Sequence, residues 1–103
     1  TEALKVVWSP TARRQAQAAV DYIALDRPQT SVDWLEALVK RVALLGDLPE
    51  QGRVVPEWHE STVREVFHEP YRVIYEIVED RLEIIAMSHF RQELPHQPPG
   101  SSF

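Results

Sequence analysis

The alternation of apolar and polar residues is clearest between Thr62 and Arg91. Three runs rich in Val, Ile, Tyr and Phe stand there, broken at His68-Glu69-Pro70 and at Glu79-Asp80. Residues of these types suit a pleated, half-buried surface, so the stretch reads as a meander of three strands. A tight loop at Glu79-Asp80 predicts a register. It sets Val78 opposite Arg81, Ile77 opposite Leu82, Tyr75 opposite Ile84 and Val73 opposite Ala86. One face then carries Val73, Tyr75, Ile77, Leu82, Ile84 and Ala86. The other carries Arg72, Ile74, Glu76, Glu83, Ile85, Met87, His89 and Arg91. If the earlier loop pairs Phe67 with Tyr71, Arg64 and Val66 join that second face. A slip of one residue would mix the two sets, so burial of one face specifies the register.

Upstream, Leu4 to Trp8 reads as a short strand with Leu4, Val6 and Trp8 on one side. Ser9-Pro10 marks a helix start: a serine can cap an orphan N–H, and proline at the first helical position has no N–H to lose. This helix runs to about Leu25, with a small-residue stripe of Ala12, Ala16, Ala19, Val20 and Ile23. Asp26-Arg27-Pro28 ends it and starts a second helix. That helix has the buried stripe Val32, Leu35, Leu38, Val39, Val42 and Leu45, with Trp34 beside it, and stops at Gly46, Pro49 and Gly52. Two amphipathic helices with a short connection form an antiparallel hairpin, and the apolar sheet face is what their stripes cover. Gly52 to Ser61 is a loop in which Pro56 prevents a regular central strand. The predicted class is α+β, in the order β-α-α-β-β-β. The helical hairpin packs on one face of a mostly antiparallel four-stranded sheet. Residues 1–94 form one domain. The Pro-rich segment 95–103 reads as a disordered tail.

The chain has 103 residues, 44% hydrophobic and 26% charged, which fits one ordinary globular core. It has no cysteine, which excludes disulfides and thiolate metal sites and makes the cytoplasm the expected compartment. No apolar run reaches the roughly 18 residues of a spanning helix, and no basic segment precedes an apolar one in the manner of a secretory signal. A net charge of -5 argues against general attraction to nucleic acid phosphates, although Arg64, Arg72 and Arg91 could still form a local basic patch. His59, His68, His89 and His96 lack metal-ligand spacing, and no phosphate-binding glycine loop is present. No metal and no cofactor is expected.

The sharpest constellation is Arg64, Arg72, His89 and Arg91 on one sheet face. Three guanidiniums and an imidazole can clamp a phosphodiester, with the histidine as acid or base. The alternative is a set of solvated arginines paired across strands with Glu76 and Glu83. Glu57, Trp58 and His59 lie just ahead of the meander, either as an acid/base pair or as a surface loop with Trp58 tucked inward. The same face also carries Ile74, Ile85, Met87 and Phe90, an apolar set that marks a protein-binding surface unless the 53–61 loop or the C-terminal segment folds over it. With Arg64, these are the candidate partner-binding residues.

Several stretches carry a family resemblance. They are W-S-P-T-A before the first helix, A-A-V-D-Y-I near its end and A-L-V-K-R-V-A-L-L-G-D-L-P-E-Q-G-R around the end of the second. They continue with V-R-E-V-F-H-E-P-Y-R-V-I-Y-E-I and I-I-A-M-S-H-F-R-Q-E-L-P. In this order and spacing, over about residues 4 to 95, the chain resembles the ParE/RelE superfamily of toxins from bacterial type II toxin–antitoxin modules. The resemblance implies the β-α-α-β-β-β fold and a cognate antitoxin whose C-terminal segment wraps the toxin in a hetero-oligomer. ParE-like members inhibit DNA gyrase. RelE-like members cut messenger RNA on the ribosome without metal, and for that activity Arg72, His89 and Arg91 are the matching residues. Phe90 has no hydroxyl, the strand before Tyr71 has no lysine, and the chain is acidic, so the expectation is the ParE-like, gyrase-inhibiting branch. The ribosome-dependent ribonuclease is the alternative.

Overall fold

Ser9 begins the first helix as its residue type predicts: its Oγ accepts the Ala12 N–H at 3.0 Å, and Pro10 follows at the first helical position. In the computed structural model, which describes residues 3–98, β1 spans Lys5–Trp8, α1 Pro10–Ala24 and α2 Pro28–Leu45. Then come β2 at Arg53–Val54, β3 at Val63–His68, β4 at Tyr71–Val78 and β5 at Arg81–His89. The sheet order is β1-β5-β4-β3-β2, with β1 parallel to β5 and the other pairs antiparallel. The class and the helical hairpin are as expected, and the sheet has a fifth strand. Arg53 and Val54 pair with Glu65 and Arg64 just before Pro56, at the edge where a short strand is tolerated.

Two cores sandwich the sheet. On the helix side Ala12, Ala16, Leu38, Val42 and Leu45 pack against Val66, Val73, Tyr75, Leu82, Ile84 and Met87. On the other side Val55 and Trp58 lie over Val63, Ile74, Ile85 and Ala86, with Leu94 at the margin. Trp58 Nε1 donates to the Pro95 carbonyl at 2.8 Å, which ties the segment after β5 to the 53–61 loop. The remainder of the expected tail, residues 99–103, lies outside the described residues.

The register departs from expectation at two places. The pairs Val78–Arg81, Ile77–Leu82 and Tyr75–Ile84 form, but the next pair is Ile74–Ala86, so Ile85 is an extra residue in β5. An extra residue reverses the alternation beyond it. Met87 and His89 therefore point to the helix side and Ala86 to the other, the reverse of what an unbroken alternation gives. The α1 helix absorbs the backbone groups the bulge frees. Ser9 N–H donates to Ile84 O at 2.9 Å, Ser9 Oγ to Ile85 O at 3.2 Å, and Gln15 Oε1 accepts the Met87 N–H at 2.6 Å. At the β3–β4 turn His68 pairs with Tyr71 and Phe67 with Arg72, one residue off the expected pairing. Glu65 and Phe67, not Arg64 and Val66, thus share a face with Arg72.

The α2 stripe is only half used by the core. Ser31, Leu38, Val42 and Leu45 are buried, whereas Val32, Leu35 and Val39 are exposed on the helix flank. The α1 helix itself occupies the sheet above β5, so the far side of the α2 stripe has no sheet left to cover.

Candidate functional site

On the face away from the helices, Arg72 is held by two carboxylates. Its Nε donates to Glu65 Oε1 at 2.6 Å and its Nη2 to Glu65 Oε2 at 3.1 Å. Nη1 and Nη2 also grip Glu57 Oε2 and Oε1 at 2.7 and 2.8 Å. Arg53 Nε adds a bond to Glu65 Oε2 at 2.7 Å. Four of the five guanidinium donors are therefore committed, in the paired geometry that Arg–carboxylate contacts favour. The Glu65 side chain is fully buried, and a carboxylate there requires this pairing. Hydrogen bonds that Arg72 donates to Glu57 first, then to Glu65, raise its pKa above the ordinary value.

The reciprocal effect on Glu57 is large: its hydrogen bonds to Arg72 outweigh desolvation and lower its pKa from 4.5 to about 2. A lowered carboxyl pKa contributes stability that is complete above the unfolded value and is lost as pH falls toward the folded one. The Glu57 side chain is 44% exposed, so screening reduces the contribution to on the order of 1 kcal/mol. Near neutral pH, Glu57→Gln is expected to unfold more readily than the parent by about that amount. The difference should vanish as pH falls from about 4.5 to about 2, read from urea midpoints at several pH values.

The other candidate residues separate. His89 lies on the helix side, its ring 5.3 Å from that of Tyr71, and its Nδ1 accepts the Arg91 backbone N–H at 3.1 Å. His68, Trp34 and Tyr71 continue this aromatic group, and Trp34 Nε1 donates to the Glu69 carbonyl at 2.9 Å. Burial raises the Tyr71 pKa. Arg64 stands opposite Tyr75 on the helix side and donates from Nη1 to Gly52 O at 2.8 Å. Arg91 is exposed beyond the end of β5. The expected single face of Arg64, Arg72, His89 and Arg91 is thus not assembled. The β5 bulge and the one-residue shift at the β3–β4 turn put Arg72 on one side of the sheet and His89 and Arg64 on the other.

The proposed partner-binding set also changes. Ile74, Ile85 and Met87 are buried: the first two lie under Val55 and Trp58, and Met87 is in the helix-side core. Phe90 remains exposed, its ring 5.5 Å from Phe67, and Arg53 sits 5.0 Å over the Phe67 ring. Glu57 belongs to the ion network, and His59 is exposed in the adjoining loop. Among the described residues, no three His, Asp or Glu side chains converge as metal ligands, and no helix is long and apolar enough to cross a membrane.

The feature missed from sequence is on the helices. A groove of about 260 Å³ between α1 and α2 is lined by Trp8, Arg13, Ala16, Gln17, Val20, Leu35 and Val39. Its walls are mostly apolar, and Val32 is a further exposed apolar residue on α2. The signal was present in the width of the α2 stripe, which exceeds what one contact with a sheet can cover.

A helical hairpin across a mixed sheet, with its outer groove open and its opposite face closed by ion pairs, defines a small two-helix α+β domain. The sequence pattern of the family described as "ParE toxin of type II toxin-antitoxin system, parDE" matches residues 6–94, and the chain belongs to that family. It is the toxin component of such a system. No curated protein matches the chain significantly. Among solved structures, a chain of "Chromosomal ParDE TA system from P. aeruginosa" shares the fold with a TM-score of 0.72 and 17% identity, over 86% of this chain and 98% of that one.

Proposed function

We propose that this toxin inhibits DNA gyrase and is neutralised by an antitoxin segment seated in the α1–α2 groove. The observation that carries the reading is the disposition of Arg72 and His89. A metal-free ribonuclease needs a free cation and an acid or base on one surface. Here Arg72 is consumed by Glu57 and Glu65, His89 is across the sheet, and Phe90 has no hydroxyl. Membership of the ParE family supports gyrase as the target. The apolar groove has the form of a site for an amphipathic partner, which supports a toxin–antitoxin hetero-oligomer. Action on gyrase places the protein in the cytoplasm. Micromolar purified toxin is expected to inhibit gyrase supercoiling of plasmid DNA and to leave ribosome-bound message intact. Cleavage of that message without inhibition of supercoiling would overturn the proposal.

A further inference from the structure

The sheet has two edges, and they are built differently. The β2 edge is very short, carries Arg53 and runs on into Pro56. Those are devices that keep an edge strand from pairing with another chain. The β1 edge reads Lys-Val-Val-Trp, with no proline and an unbroken register, and Lys5 is its only charge. Val6, Val7 and Trp8 are half-buried, and among the described residues β1 pairs with β5 alone. The hydrogen bonds fix which backbone groups are left over. Successive residues of a strand turn their N–H and C=O groups to opposite sides. Ser9 N–H reaches Ile84 O on β5 at 2.9 Å, so Lys5 and Val7 also turn toward β5, and Leu4, Val6 and Trp8 turn outward. Leu4 N–H is already taken by Gly46 O at 2.8 Å. The outward residues left without a neighbouring strand are Val6 and Trp8, with Val7 between them.

We propose that two copies of this chain pair antiparallel through β1, with the two-fold axis at Val7. Val6 of each copy then lies opposite Trp8 of the other, and each pair exchanges two N–H···O=C bonds, so every outward group of Val6 and Trp8 is satisfied. A shift of one residue would set outward groups against inward ones and mix the two faces. A shift of two, with the axis at Val6, would set Trp8 opposite Leu4, whose N–H is engaged. The occupant is a second copy because the outward set maps onto itself under this rotation, the requirement for an isologous contact. Val6 and Trp8 both pack against the helix-side core, so in the pair each Val6 side chain lies beside the other copy's Trp8. The helix layers stay on one side of a continuous sheet. A contact built on one four-residue strand per copy falls below about 1,200 Å², so the pairing is weak and depends on concentration. It does not depend on the toxin's target or on what fills the α1–α2 groove.

The chain has no cysteine, so a single introduced one reports the contact. Residues directly opposite in a non-hydrogen-bonded antiparallel pair have Cα atoms about 4.5 Å apart, within disulfide range. Val7→Cys in the full chain is expected to form a disulfide-linked dimer on mild oxidation. It should do so at least about tenfold faster than Lys5→Cys, whose two copies would stand roughly 14 Å apart. Light scattering of the parent should show the mass rising from one copy toward two between about 1 and about 500 μM. Val7→Lys sets two lysines face to face on the axis and should hold the chain at one copy. Within one copy that lysine stands beside Glu83 of β5, and circular dichroism melts check that the fold is kept. A parent that stays a single copy throughout, a Val7→Lys variant that associates as the parent does, or a Lys5→Cys cross-link as fast as that of Val7→Cys overturns the pairing. If Val7→Cys does not cross-link and is shielded from alkylation only when the cognate antitoxin is added, the edge receives an antitoxin strand and the proposal fails.

Discussion

Arg72→Ala is expected to lower the melting temperature by roughly 15–30 °C, and to do so whether or not any target is present. The change strands the fully buried Glu65 carboxylate with Arg53 alone, and Arg53 is itself half-exposed. Removing one partner of a buried pair costs about 3–5 kcal/mol, because the other charge remains desolvated. A domain of this size has about 5–15 kcal/mol in total, so the loss is a large share of its stability. The Glu57 loop should loosen as well, since Arg72 is its anchor to the sheet and Trp58 covers Ile74 and Ile85 from that loop. A catalytic reading of Arg72 predicts the opposite, loss of activity with the fold intact. Differential scanning calorimetry separates the two: a melting temperature within a few degrees of the parent would refute the structural role.

The second large effect is at Gly52. A Cβ there would stand 2.5 Å from the Glu65 carbonyl oxygen and 2.6 Å from the Tyr75 hydroxyl. Neither neighbour can retreat. The carbonyl belongs to the β2–β3 ladder, and the Tyr75 hydroxyl accepts the Gly52 N–H at 2.9 Å while donating to Pro49 O at 2.7 Å. Tyr75 is fully buried, and burial raises its pKa. Gly52→Ala is expected to cost about 3 kcal/mol, seen as a lower urea midpoint with an unchanged slope. Tyr75→Phe alone should cost about 1–3 kcal/mol by leaving a buried N–H and carbonyl unpaired. Combining the two should not recover stability, because the contact with the Glu65 carbonyl persists. Recovery to the Tyr75→Phe level would show that the hydroxyl, not the backbone, sets the limit.

Both effects involve residues whose types were plain in the sequence and whose neighbours were not. Arg72 stands out in the sequence as a cation in a strand-like run, whereas Glu65 is one of several acids in the strands. Their meeting depends on a one-residue shift at the Glu69-Pro70 turn, which neither propensity nor alternation encodes. The β5 bulge has a similar cause. Ile84, Ile85 and Ala86 are all apolar, so the pattern there is silent about which residue is extra, and the choice is made by Ser9 and Gln15, some 70 residues away in the chain. That one insertion moved Met87 into the core and His89 off the face of Arg72. The candidate catalytic surface was therefore assembled from correct residue types in an incorrect register.

The sequence by itself determined the element order, the start of α1 at Ser9-Pro10, the Glu79-Asp80 hairpin and its first three pairs, and family membership through motifs spread over most of the chain. These follow from local chemistry: caps, turn residues and alternation act over a few positions. Only the tertiary structure decided which side of the sheet each late β5 residue faces, that the buried Glu65 and the half-exposed Glu57 together consume Arg72, and that half of the α2 stripe remains uncovered. Those outcomes depend on how α1, the 53–61 loop and β5 share limited space, and no local pattern records that competition.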